Sequence, residues 1–241
     1  MTGTDVPRTA RERARAEIMS EILQAGRLHL ARDGAAALSL RAVARDLGMV
    51  SSAMYRYVPN RDALLTMLII DAYDAVGAAV EEADRACARA DYVSRIEAVS
   101  RAVRDWAHQN PHAYALIYGS PVPGYAAPED TIAPATRVPV VLLSILMDLT
   151  SARAALGLEP LSPDAPSAEV VASLGPMTAF TGGQVSQDLL LRGLASWGTL
   201  LGTISLELFG HLHNVVEEDP ALRSAFFDHQ MRQVAAGLGL A

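Results

Sequence analysis

Residues 38–65 constrain the fold of this chain most, because their spacing predicts two short helices joined by a glycine turn and followed by a third helix. Ser39 belongs to a residue type that caps helix N-termini, and apolar residues recur after it with helical periodicity. The buried side of this helix is expected to consist of Leu40, Val43, Ala44 and Leu47. Gly48 then allows the left-handed backbone that a tight turn between helices requires.

The second of these helices is short and presents a polar outer face. We expect Ser51 or Ser52 to cap it and Pro59 to end it after about two turns. Its buried side is expected to be Val50, Met54 and Val58. Its outer face is Ser51, Ser52, Ala53, Tyr55, Arg56 and Tyr57. Short hydroxylated side chains beside aromatic and cationic ones suit a DNA groove, so the pattern predicts a DNA-binding helix-turn-helix at about residues 39–58.

Residues 18–68 resemble the tetracycline-repressor (TetR) family of transcriptional regulators. The elements that carry the resemblance occur in the family's order and spacing. They are residues 22–25, Gly34, the spacing from Ala44 to Gly48, Tyr55, residues 57–61 and residues 64–65. The alternative is that these are ordinary surface helices of an all-helical protein.

The resemblance implies roles for individual side chains. In the family, the positions that match Ser39, Tyr55 and Arg61 touch the DNA backbone. The positions that match Arg41 and residues 51–53 face the bases. Arg61 stands where the family often has lysine, which preserves the charge but changes its geometry.

Composition and charge predict an all-α chain with two functional parts. Of the 241 residues 51 % are hydrophobic, largely alanine and leucine, and only 5 % are aromatic. We expect a three-helix DNA-binding domain at residues 1–61, including an arginine-rich arm, and a larger helical domain at 62–241 for effector binding and dimerisation. Residues 1–61 hold ten arginines against six acids, a charge of +4, which leaves −11 on the remaining 180 residues. This asymmetry is typical of a basic DNA-binding part on an acidic body. The arm carries Arg8, Arg11, Arg13 and Arg15, which either reach the DNA or form a solvated tail.

Several features indicate a cytoplasmic protein. Cys87 has no partner for an internal disulfide, and the arginine-rich start is not followed by the apolar segment of a signal peptide. The longest apolar run, residues 138–147, is interrupted by Pro139 and falls short of the roughly 20 residues of a membrane span. We therefore expect no membrane partner.

Periodicity predicts seven longer helices, two of which start with a proline in the first turn. They are expected at about residues 13–32, 61–89, 92–108, 111–118, 132–156, 184–213 and 220–238. His29 is expected to be a packed side chain of the first of them. The connections at 119–130 and 157–167 are either lids of a pocket or slack surface loops.

The C-terminal part resembles the WHG class of TetR-family domains, in residues 114–125, 197–202 and 205–208, although Leu201 stands at the position of the histidine. Gly198 and Gly202, one helical turn apart, allow another helix to approach closely. Together with Phe226, Met231 and Val234 on the last helix, they are expected to form a dimer seam.

Large, soft or amphipathic residues of the C-terminal part are candidates for lining an effector pocket, although residues of these types more often belong to a plain core. They are Trp106, Tyr114, Tyr118, Met147, Phe180 and Trp197. No catalytic constellation, cofactor motif or metal cluster is found, since His211 and His213 diverge on a helix.

The sequence therefore predicts a homodimeric transcriptional repressor that binds an inverted-repeat operator and is released by a small, largely apolar effector. Two alternatives stay open at this point. They are a helical small-molecule-binding enzyme and a regulator that binds DNA independently of any ligand.

Overall fold

The computed structural model describes residues 9–156 and 166–240, and within them the chain is helical without a β-strand. The all-α prediction is confirmed. The helices are α1 (Ala10–Asp33), α2 (Leu40–Asp46), α3 (Ser51–Met54), α4 (Arg61–Arg85), α5 (Tyr92–Gln109), α6 (Pro111–Tyr118), α7 (Ile132–Ala155), α8 (Ala168–Ser173), α9 (Gly175–Phe180), α10 (Gln187–Leu208) and α11 (Pro220–Gly237). Arg8 and most of the 157–167 connection lie outside the described residues.

The observed bounds differ from the expected ones where local capping decides them. Helix α1 begins three residues early because Thr9 and Glu12 form a capping box, in which each side chain accepts a hydrogen bond from the other's backbone N–H. Helix α10 ends at Leu208, five residues early, and a turn with positive φ at Gly210 and Asn214 follows. The sequence missed α8 and α9, because six residues are too few to show helical periodicity.

Contacts divide the described residues into two compact units. The first comprises the described residues up to Tyr73 together with Asn110–Pro134, and the second comprises Asp74–Gln109 and the described residues from Ala135 onward. The expected division after residue 61 therefore differs from the contact pattern. Helix α4 contributes its first half to one unit and its second half to the other.

The core of the first unit joins α1, α2, α3 and the start of α4. Of the apolar residues expected on the buried sides of α2 and α3, Leu40, Val43, Ala44, Met54 and Val58 are buried, Leu47 is half-buried and Val50 is 69 % exposed. On α1, Leu28 is 67 % exposed. His29, the neighbour of Leu28, is buried instead. The fully buried residues of this core are Ile22, Val43, Val58, Leu64 and Leu65.

The 119–130 connection belongs to the first unit. Val122 and Tyr125 pack against its core, and the Tyr125 hydroxyl lies 2.9 Å from Oγ1 of Thr66 on α4. The connection ends in a short 3-10 turn at Glu129–Thr131. Its apolar residues are thus used in packing against α4.

In the second unit α11 packs against α5 and α10. Apolar side chains from the three helices fill the space between them, among them Ile96, Val103, Leu200, Ile204 and Phe227. Pro139 lies inside α7, which continues through it even though proline lacks the N–H for an intrahelical hydrogen bond.

Among the described residues, three segments are long and apolar enough to span a membrane, by length and composition alone: Arg61–Arg85, Glu129–Ala155 and Gln187–Leu208. No uninterrupted apolar run of the sequence reaches that length, because polar residues and prolines divide these segments. Three acids of the first segment are paired with arginines of other helices, Asp71 with Arg27, and Asp74 and Glu81 with Arg137.

Candidate nucleic-acid interface and cavity

Gly48 shapes the turn between α2 and α3. Its φ is +65°, a conformation that residues with a Cβ rarely adopt. The Gly48 N–H donates to the Arg45 carbonyl at 3.0 Å, and the Met49 N–H donates to the Ala44 carbonyl at 2.8 Å. This is the Schellman pattern, which satisfies the last carbonyls of a helix and reverses the chain direction. The turn predicted at Gly48 is confirmed.

Helix α3 is shorter than expected. It comprises only four residues, and Val50, not a serine, occupies its N-cap position without a side-chain hydrogen bond. The expected capping by Ser51 or Ser52 is therefore wrong, because both serines already lie within the helix. Both are exposed, and Ala53 is half-buried. Since Val50 precedes the helix in extended conformation, its side chain points away from the core that Met54 and Val58 enter.

Four of the predicted DNA-contacting residues line one shallow depression of about 320 Å³: Ser39, Arg41, Tyr55 and Arg61. They come from the start of α2, the end of α3 and the start of α4, and Leu38, Leu40 and Asn60 complete the lining. Ser39 occupies the N-cap position of α2, but its side chain makes no capping hydrogen bond. Ser51, Ser52, Ala53, Arg56 and Tyr57 are not among the residues that line the depression.

Arg61 has a structural contact that the sequence did not indicate. Its Nη2 donates to the carbonyls of Ala35 and Ala36, at 2.8 and 3.3 Å, and so ties the start of α4 to the loop after α1. Asn60 caps α4, since its Oδ1 accepts from the Ala63 N–H at 2.8 Å. The carbonyl contacts join residues 25 or more positions apart, a separation that periodicity does not reveal.

His29 holds α1 against the end of α2. Its Nε2 lies 2.7 Å from an Asp46 carboxylate oxygen, and its Nδ1 lies 3.0 Å from Nη2 of Arg32. A hydrogen bond from Arg32 holds the pKa of Asp33 below its ordinary value, and the nearby His29 adds to this effect. These contacts agree with the expectation that His29 is a packed side chain.

Cationic side chains surround α2 and α3. Arg41 and Arg56 are exposed and make no ion pair with any residue that the structure describes. Arg15 lies over the ring of Tyr57, with 5.3 Å between its Cζ and the ring centroid. Tyr57 is thereby half-buried, whereas Tyr55 is 45 % exposed. The exposed guanidinium groups are available to phosphates and base edges.

The second unit contains an apolar cavity of about 280 Å³ among α5, α7, α9, α10 and α11. Trp197 lines it, but the other five expected pocket residues are not among its lining residues. Trp106 and Tyr114 are buried, Met147 is half-buried and Phe180 is 62 % exposed. Tyr118 belongs to a tyrosine cluster of the first unit, 5.2 Å from Tyr114 and 6.0 Å from Tyr73 between ring centroids, and burial raises its pKa. A cavity forms where helices that are distant in sequence leave a gap between them. The type of a side chain does not indicate whether it faces such a gap.

The residues expected at a dimer seam differ in exposure. At both Gly198 and Gly202 an added Cβ would meet no atom of the protomer within 4 Å. Phe226 is half-buried, and Val234 lines the cavity. Met231 is 1 % exposed, so its assignment to the seam is wrong: it is part of the protomer's own core and has no surface to offer a partner.

A glycine-closed turn between two short helices, with hydroxyl, phenol and guanidinium groups grouped beside it, defines a helix-turn-helix DNA-binding protein. Residues 96–234 match the family model described as "Tetracyclin repressor-like, C-terminal domain". An HTH-type transcriptional regulator of Mycobacterium tuberculosis, Rv1816, is 39 % identical over 229 residues, 95 % of each chain. The chain belongs to the TetR family of transcriptional regulators, which is not a family of enzymes. The enzyme alternative is thereby set aside, and the more specific WHG assignment stays a prediction.

Solved structures agree with this fold. The chain resembles a regulatory protein, SCO4313, with a TM-score of 0.74 and 30 % identity over 95 % of this chain and all of that one. The TetR-family regulator PfmR of Thermus thermophilus gives a TM-score of 0.55 at 18 % identity, over 88 % of this chain and 97 % of that one. The second likeness concerns the fold alone.

Proposed function

We propose that the protein is a cytoplasmic homodimeric repressor that binds an inverted-repeat operator and releases it when a small, largely apolar molecule binds. The observation that carries the proposal is the grouping of Ser39, Arg41, Tyr55 and Arg61 around one depression beside the exposed serines of α3. These groups come from three helices and have no common packing role that would explain their grouping.

Their chemistry divides the DNA contacts into two classes. Ser39, Tyr55 and Arg61 offer a hydroxyl, a phenol and a guanidinium, which suit phosphate oxygens. Arg41 and the serines of α3 are assigned to base edges, because a guanidinium binds guanine through two hydrogen bonds and short side chains allow the helix to lie deep in the major groove. Phosphate contacts set affinity and its salt dependence, whereas base contacts set sequence preference.

Helix α10 supports a dimer. Leu194 and Leu206 are 42 % and 45 % exposed, and they lie on the same face of the helix as Gly198 and Gly202. An exposed face of apolar and small residues is suited to close packing against a second copy of the same helix. A two-fold dimer would present two α3 helices to successive major grooves about 34 Å apart, which is why we expect an inverted-repeat operator.

The cavity among α5, α7, α9, α10 and α11 supports a small-molecule effector. Its volume of about 280 Å³ is at the lower limit of ligand pockets, and most of its lining is apolar. For the effector to release DNA, it must bind the DNA-free arrangement of the dimer more tightly than the DNA-bound one.

The test is enrichment of genomic DNA fragments by the purified protein in about 0.15 M salt, which suppresses non-specific phosphate attraction. We expect a few inverted-repeat sites to be enriched, and Tyr55→Ala to lose them. On the enriched site, Arg61→Ala should lower the salt slope by about one unit if it removes one phosphate contact, because the slope counts phosphates neutralised by cationic side chains. Arg41→Ala should instead change the preferred bases.

Arg85→Ala is the control, because it removes an exposed arginine of α4 that pairs with Glu82 of the same helix. It should leave both affinity and base preference unchanged. If Arg41→Ala weakens every sequence equally, the assignment of Arg41 to base contacts is wrong. If the folded protein enriches no site, the helix-turn-helix does not bind DNA specifically by itself.

A further inference from the structure

We propose that the cavity of the second unit takes an uncharged, mainly hydrocarbon molecule with a single hydroxyl or carbonyl group, and that Ser100 selects for this group. The inference deepens the proposed function and rests on it in one respect, namely that the bound molecule is the effector. Binding itself is a property of the cavity and can be measured without DNA.

The walls of the cavity exclude a charged ligand. The lining residues contributed by α7 are Pro139, Leu142, Leu143 and Leu146, and none of the residues that line the cavity elsewhere carries a charge. A carboxylate or ammonium group in this place would lose its hydration without gaining a counter-ion. The ligand is therefore uncharged, and most of its surface is hydrocarbon.

Ser100 on α5 places a polar side chain in the wall of this cavity. It is 2 % exposed, lines the cavity, and makes no hydrogen bond with any residue in the described part of the chain. A ligand that pairs with this hydroxyl gains a hydrogen bond inside an otherwise apolar cavity. A hydroxyl both donates and accepts, and Ser100 thus fits either an alcohol or a ketone.

Ser196, the second hydroxyl in the lining, differs from Ser100 in this respect. Its Oγ already donates to the Arg192 carbonyl at 2.7 Å. Helical serines commonly make this contact, and it satisfies the donor. Ser100 is therefore the residue on which we expect the ligand's polar group to depend.

The volume limits the size of the ligand. A cavity of about 280 Å³ is nearly twice the roughly 150 Å³ of an engineered cavity that binds benzene. A molecule of about ten to twelve non-hydrogen atoms fits this space. We therefore choose probes with about ten carbons and either an extended or a compact shape.

The experiment is calorimetric titration of the full chain with 1-decanol, 2-decanone, borneol and camphor, with decanoate and decylammonium as charged counterparts at neutral pH. At least one uncharged probe should bind, with an affinity at least about tenfold above that of the charged ones, the equivalent of about 1.4 kcal/mol. Ser100→Ala should weaken this binding by about tenfold, because it removes the hydroxyl with which the polar group of the ligand pairs.

Ser144→Ala is the matched control, since the Ser144 hydroxyl donates to the Val141 carbonyl and the residue does not line the cavity. It should leave probe affinity unchanged. Equal binding of decanoate and 1-decanol, unchanged affinity in Ser100→Ala, or no binding of any uncharged probe would overturn the inference. Release of operator DNA is measured separately by fluorescence anisotropy. Selective binding without release supports the inference about the cavity and counts against the effector role.

Discussion

Arg95 on α5 is fully buried, and its guanidinium is held by two acids from other helices. Its Nε and Nη2 donate to the two carboxylate oxygens of Asp84 at 2.7 and 3.2 Å, and its Nη1 donates to Asp148 at 2.8 Å. Arg89 pairs with the same two acids, but its side chain is 63 % exposed. The two arginines therefore differ in burial and share their partners.

We expect Arg95→Leu to lower the free energy of unfolding by about 3–5 kcal/mol, because it leaves the nearly buried Asp84 without its main partner. Arg89→Leu should cost at most about 1 kcal/mol, since an exposed pair is screened by water. Urea denaturation of both variants measures the difference. Similar losses of unfolding free energy in the two variants would show that the burial of an ion pair does not determine its contribution to stability.

Residue-scale contacts of this kind were not predictable from the sequence. Asp84 and Asp148 are 11 and 53 positions from Arg95, and nothing local to α5 distinguishes it from an exposed arginine. His29, in contrast, was correctly predicted to be packed, because its position follows from the apolar face of α1.

At the scale of elements, the buried faces of α2 and α4 followed from the sequence because helical periodicity is a local property. The length of α3 did not, since the residues Tyr55–Tyr57 continue the chain as a turn although their side chains fit a helix pattern. The cavity was not predicted beyond Trp197, because its wall combines residues of α5, α7 and α10, which lie far apart in the sequence.

Helix α10 offers a test of the proposed seam. If the protein is the proposed dimer, we expect Gly198→Leu to convert it into a monomer, because a leucine side chain would prevent close approach of a second α10. The protomer should stay folded, since an added Cβ at this position meets nothing within 4 Å and leucine is a better helix former than glycine. Sedimentation velocity measures the association state, and circular dichroism measures the helix content.

The control for this prediction is Ala78→Leu, which adds a leucine at an exposed position of α4. It should leave the association state unchanged. If Gly198→Leu sediments like the unmodified protein, the glycine face of α10 is not the seam.

At the scale of the whole molecule, the response to acid depends on carboxylates that are paired in the folded state. Burial alone would raise the pKa of Glu207, but hydrogen bonds from Arg104 and His108 outweigh it and hold that pKa below its ordinary value of 4.5. Arg104 donates to both carboxylate oxygens, at 2.9 and 2.6 Å. A hydrogen bond from Arg137 likewise lowers the pKa of Glu81.

The folded-state pKa values of these two carboxylates lie below the unfolded ones. The stability that the carboxylates contribute to the folded protein is therefore complete above about pH 4.5 and is lost as the pH falls through the folded-state values. We expect Arg104→Met to be less stable than the unmodified protein at pH 7 by about 3 kcal/mol, because Glu207 loses its main partner. The difference should shrink below pH 4.5 as Glu207 is protonated. Thermal unfolding from pH 3 to 8 measures it.

Arg101→Met serves as the reference for this pH series, because Arg101 pairs with Asp228 and is 46 % exposed. Its deficit in stability should be small, at most about 1 kcal/mol at pH 7. A deficit of Arg104→Met that is constant over the whole range would contradict the linkage to Glu207.

Trp197 in the wall of the cavity has an optical consequence. The chain contains two tryptophans, and the other, Trp106, is buried outside the cavity lining. Replacing Trp106 by phenylalanine would leave a single indole fluorophore directly beside the binding space. The emission of the unlabelled protein would then report occupancy of the cavity in real time, so that the rates of ligand entry and exit become accessible by stopped flow.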